Sequence, residues 1–136
     1  MIQKIPDIKK ALSLIESARK DIFYTYSLKV SQESANTSIR NIYECFRMLG
    51  EAFLTAKGIK SEDHVLPIGE LTSLKIQTSR PLNLLDNLRK MRRNINYYGY
   101  SATVAEAEDS LDFSKACFDP VFKEVKRQID ALSAKR

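Results

Sequence analysis

Residues 35–58 read ANTSIRNIYECFRMLGEAFLTAKG, and the spacing of their apolar positions decides the fold class. Ala35, Ile39, Ile42, Phe46, Leu49, Phe53 and Ala56 alternate steps of four and three, which keeps one apolar seam along one side of an α-helix. Gly58 closes the stretch, because glycine tolerates the left-handed conformation that ends helices. Lys57 beside it complements the negative end of the helix dipole.

The same periodicity recurs outward in both directions. Upstream, Ile5, Ile8, Leu12, Ile15, Ile22 and Tyr26 predict a helix that opens at Pro6-Asp7 and ends near Leu28. Downstream, Ser61-Glu62-Asp63-His64 resembles a helix start, and a short helix is expected from about Leu66 to Ile76, with Pro67 and Gly69 interrupting it. After the turn Thr78-Ser79-Arg80-Pro81, the positions Leu84, Leu88, Met91, Ile95 and Tyr98 predict a fourth helix that stops at Gly99. The last helix carries Val104, Ala107, Leu111, Phe118, Val121, Val125, Ile129 and Leu132 on one side. Thr103 caps it, with Glu106 three residues on completing a capping box. Pro120 lacks a donor and crowds the preceding turn, so Asp119-Pro120 is expected to kink this helix or to begin a separate segment capped by Asp119. No segment sustains period-two alternation and no Asn-Gly or Asp-Gly turn occurs, so no sheet is expected. Short turns between long helices imply an all-α fold, an antiparallel up-and-down bundle of four to five helices in one domain, 1–136.

At 136 residues and 43% hydrophobic content, the chain fits one core. No apolar run approaches the ~18 residues that cross a bilayer, and the opening residues lack a secretory apolar stretch; a cytoplasmic protein with no membrane partner is expected. Cys45 and Cys117 lack metal-site spacing, so two reduced, partly buried thiols are expected, with no metal and no cofactor. Phosphate loops, zinc-binding His-Glu-x-x-His helices and glycine-flanked nucleophilic serines are absent. His64 is the one histidine of the chain. It falls in a turn, where a capping or surface role is the simpler expectation than catalysis.

The net charge of +5 favours a polyanionic partner where cations cluster, and they cluster between Leu88 and Tyr100. Arg89, Lys90, Arg92, Arg93, Asn94, Asn96, Tyr97, Tyr98 and Tyr100 crowd one helix and its exit. Helical geometry puts Arg89, Arg92 and Asn96 on one flank beside the apolar seam, with Arg93 and Tyr97 further outward. Guanidinium groups grip phosphate, amides bond bases or ribose, and tyrosine rings stack on unpaired bases; the composition suits single-stranded RNA. It equally suits a plain helix end, where cations offset the dipole and tyrosines bury a ring while wetting the hydroxyl.

This stretch resembles the signature of the HEPN family of small helical domains. Ribonuclease members carry an Arg, often followed by a polar residue, then a His four to six positions later, with a Tyr two beyond it in one toxin branch. Arg93, Asn94 and Tyr100 match; Tyr98 stands where the His should be. A second region, from Ala35 through Ile42-Tyr43, Phe46, Glu51-Ala52-Phe53-Leu54 and Gly58 to His64, is similar to the family's second helix and following turn. The resemblance implies a homodimer whose two Arg motifs share a cleft. It also implies a role as an RNA-cutting toxin with an antitoxin, as partner of a nucleotidyltransferase, or as a nucleotide or RNA binder without cleavage. Arg93 and Tyr98 would be the catalytic pair of a nuclease. Metal-independent cleavage gains from a group titrating near neutral pH, which histidine does and tyrosine, near 10, does poorly. Only arginines from two subunits around Tyr98 would rescue it, by stabilising the phenolate. An RNA- or nucleotide-binding dimer is therefore expected ahead of a nuclease, with a structural interaction bundle as the third reading.

Overall fold

The computed structural model describes residues 2–135. Five helices follow one another: α1 (Ile8–Ser27), α2 (Ala35–Lys57), α3 (Val65–Thr72), α4 (Leu84–Tyr98) and α5 (Val104–Ala134). The protein is an all-α helical bundle. Two short strands, β1 (Ile2–Gln3) and β2 (Ile59–Lys60), pair antiparallel and tie the approach to α1 to the exit from α2. That two-residue ladder corrects the expectation of no sheet at all, and it is too short for any periodicity to announce it.

Helix ends follow local chemistry. Asp7 is the N-cap of α1, its carboxylate accepting from the Lys10 amide at 2.9 Å, so the helix begins after Pro6-Asp7. Ile5, expected on the apolar seam, is 87% exposed because it precedes that cap. Gly58 and Gly99 end α2 and α4 at φ 76° and 67°. Thr103 and Glu106 form the expected capping box on α5. α3 spans Val65–Thr72, starting one residue earlier and stopping four residues sooner than expected. Pro67 falls in its first turn, where no intrahelical donor is needed, and Asp63 accepts from the Val65 and Leu66 amides at 3.1 Å each.

Pro120 does not divide α5, which is continuous from Val104 to Ala134; Asp119 caps nothing and its carboxylate meets Lys123 at 2.9 Å. A mid-helix proline costs about 3 kcal/mol. Phe118, Val121 and Phe122 around it are all buried, and at roughly 1.5–3 kcal/mol per large apolar side chain their burial outweighs that cost.

α2 is the central element. It buries the predicted seam and also Tyr43, Cys45, Ala52 and Leu54, because neighbours cover it on several sides. Asp7 N donates to Thr55 O, so α1 and α2 run antiparallel; Arg40 on Asn96 and Asn36 on the backbone of Ala102 make α4 antiparallel to α2. Ser114 donates to the Tyr26 hydroxyl and Arg19 lies over the Phe122 ring, so α5 returns along α1. The long helices thus alternate in direction. Both thiols are fully rather than partly buried, and burial pushes Cys45 up to about 12. Between α4 and α5 an apolar groove of about 360 Å³ stays open, lined by Leu84, Leu88, Met91, Ala105 and Phe113. No helix among the described residues is long and apolar enough to cross a membrane.

Candidate nucleic-acid interface

α4 rests on α2 through Leu85, Leu88 and Ile95, which fixes where each of its polar side chains goes. Arg89 is half-buried and pairs with Asp86, its Nε at 3.0 Å and a terminal nitrogen at 2.9 Å. Lys90 reaches the same carboxylate at 3.3 Å. Asn96 accepts from Arg40 Nε at 2.7 Å, which joins the outer edges of α2 and α4.

Arg92 is half-buried and meets no carboxylate among the described residues. Its guanidinium instead lies 5.6 Å from the centre of the Tyr43 ring and 5.7 Å from that of Tyr97. Tyr43 is buried, and its hydroxyl is 2.8 Å from His64 Nδ1, with the two rings stacked 5.7 Å apart. Burial pushes the Tyr43 phenol up to about 12, and Arg92 pulls back against it. Burial and the nearby Arg92 and Arg47 guanidiniums hold His64 below the ordinary histidine value. His64, expected as a cap or surface residue, makes no side-chain capping bond and is half-buried in this cluster.

Arg93 is exposed and makes no hydrogen bond or ion pair among the described residues. Tyr97 beside it is 67% exposed. Asn94 is exposed on the far side from Asn96, and its carbonyl accepts from Gly99 and Tyr100. Tyr98, expected on the buried seam, is 69% exposed. At 100° per residue it falls about 120° around the helix from Arg92, towards the groove, and no guanidinium of the described residues lies over its ring. Tyr100 is past the helix; its hydroxyl donates to Glu106 Oε1 at 2.7 Å, which anchors the loop to α5. The fold therefore gathers Arg89, Arg92, Arg93, Asn96 and Tyr97 on one face and sends Asn94 and Tyr98 to another.

The face also takes residues from other elements that the sequence reading did not single out for binding: Arg40, Tyr43 and Arg47 from α2, and His64 from the turn before α3. Arg47 is neutralised by Glu44 and Glu51. Arg19, Arg80, Arg89 and Arg127 likewise have carboxylate partners, Glu16, Asp109, Asp86 and Glu124. Arg40, Arg92 and Arg93 are the described arginines without one, and all three lie on this α2–α4 face. Nothing in the sequence spacing signals Arg40, since its partner Asn96 is 56 positions away. No metal-ligating group of three or more His, Cys, Asp or Glu occurs among the described residues. No family model, curated protein or solved structure matches this chain.

Proposed function

We propose that the chain is a HEPN-like domain that binds RNA or a nucleotide as a homodimer, without strong nuclease activity, and that a nucleotidyltransferase could be its partner. The observation that carries the binding reading is the segregation of arginines: those without carboxylate partners, Arg40, Arg92 and Arg93, share one face. A guanidinium left without a counter-charge is free to take a phosphate, and Tyr97 beside Arg92 offers an exposed ring on which a base can stack. Tyr98 is solvated, with no guanidinium over it in the protomer, so the phenolate that cleavage would need lacks support there. This favours binding over the toxin alternative.

The test is a titration of fluorescently labelled oligouridylate with the parent protein at low and moderate salt. Affinity should fall steeply with salt, in proportion to the phosphates neutralised, and Arg93→Ala and Arg92→Ala should both weaken it. If both variants bind like the parent, the structural-bundle reading replaces this one. Light scattering at micromolar concentration checks the dimer; a monomer would remove the shared Arg93 cleft.

A further inference from the structure

His64 reaches the arginine face from a different element, and its chemistry is set by Tyr43. The Tyr43 hydroxyl has one partner among the described residues, Nδ1 of His64 at 2.8 Å. Tyr43 is 1% exposed and its hydroxyl has no other acceptor among the described residues, so the phenol proton points to Nδ1 and Nδ1 is the accepting nitrogen. In the neutral ring the proton then resides on Nε2. Among the described residues Nε2 has no hydrogen-bond partner, yet it is not a buried unsatisfied atom, so solvent or a ligand can reach it.

We propose that His64 is a tautomer-locked, neutral hydrogen-bond donor of the oligonucleotide site, its Nε2–H giving a bond to a phosphate oxygen whose charge is met by Arg92. This rests on the RNA- or nucleotide-binding reading and adds a residue and a chemical role to it. It has a consequence for catalysis: the exposed nitrogen carries a proton rather than a lone pair, so it cannot take a proton from a ribose hydroxyl. The lone pair lies at Nδ1, turned onto Tyr43. Protonating the ring would force Nδ1 to donate into a phenol that must then turn its own proton away, beside Arg92 of α4 and Arg47 of α2. Glu44 of α2 and Asp63 of the preceding turn oppose that penalty. The donor accordingly stays neutral, and its contribution to binding should be flat with pH at and above neutrality.

Because His64 is the one histidine of the chain, the tautomer can be read directly in a long-range proton–nitrogen correlation spectrum of uniformly labelled protein. The expected result is an unprotonated Nδ1 and a protonated Nε2 at pH 7, with Tyr43→Phe losing that preference. In oligouridylate titrations, His64→Ala should weaken binding on the order of tenfold, the scale of one hydrogen bond to a charged group. His64→Gln, which places an amide N–H near the Nε2 position, should stay within about twofold of the parent on the same scale. A protonated Nδ1 in the neutral ring, or His64→Ala binding as well as the parent while Arg93→Ala is weakened, overturns the role of His64 and leaves the RNA reading standing. A parent that binds no oligonucleotide overturns both.

Discussion

Where α2 meets α5, Phe46 lies 5.6 Å from Phe113 and 5.3 Å from Phe118, and Phe118 in turn stacks towards Phe122. Where α2 meets α4, the contacts at the outer edge are a guanidinium over a phenol and an arginine on an amide, and the turn before α3 adds an imidazole on the same phenol. The first seam excludes water and has no chemistry to offer. The second is half-wet, holds charge without counter-charge, and leaves Arg93 and Tyr97 facing solvent. One face of α2 thus serves stability and the other carries the surface proposed for binding, and on that proposal the two should respond separately to mutation.

The largest effect is expected in the aromatic seam. Phe46→Ala should cost about 3–5 kcal/mol by denaturant unfolding, from lost burial and the cavity left behind, and an unfolded variant would be the extreme of the same result. Gly50→Ala comes next: a methyl there would overlap the Pro67 carbonyl of α3, so a loss of about 1–3 kcal/mol is expected, with a lower thermal midpoint. Phe46 makes no contact with the arginines of that face, whereas Gly50→Ala pushes on the first turn of α3, which carries His64. Arg92→Ala should sharpen the comparison, since its guanidinium packs on two rings: about 1 kcal/mol of stability should go together with oligonucleotide affinity. Arg93→Ala should keep stability within about 0.5 kcal/mol of the parent while reducing affinity. An Arg93→Ala variant that is markedly destabilised would mean that its surface is covered by structure, such as a second subunit, rather than free for a ligand.

The smallest effect concerns pH. The folded protein holds His64 below 6.5, so on acidification the unfolded chain takes up this proton first. The stability tied to His64 is fully present above 6.5 and is lost as pH falls through the folded value. His64→Gln should remove that part of the slope in a series of unfolding curves.

Much of the fold was legible because it rests on near-neighbour physics. The α2 seam, the glycine stops at 58 and 99 and the Thr103–Glu106 capping box depend on residues within one or two turns of each other, and all stand in the structure. Of the two outcomes expected at Pro120, a division of the last helix does not occur: the local cost was counted, while the packing around Phe118, Val121 and Phe122 that offsets it comes from helices far away in sequence. Tyr98 was assigned to the seam by spacing alone. The seam ends at Ile95, and Tyr98, the last residue of α4, stays exposed beyond it.

The sequence by itself determined that the chain is helical, where most helices begin and end, and that cations and tyrosines crowd the end of α4. Propensity, capping and amphipathic period are properties of contiguous residues, so one chain is enough to read them. Only the tertiary structure decided which arginines keep a free charge. Arg89 and Arg93 look alike in the sequence, yet one turns to Asp86 and the other to solvent. It also brought Arg40, Tyr43 and His64 onto the same face as Arg92, across separations of 21 positions between Tyr43 and His64 and 56 between Arg40 and Asn96. Such meetings follow from how helices pack, and no local pattern carries them.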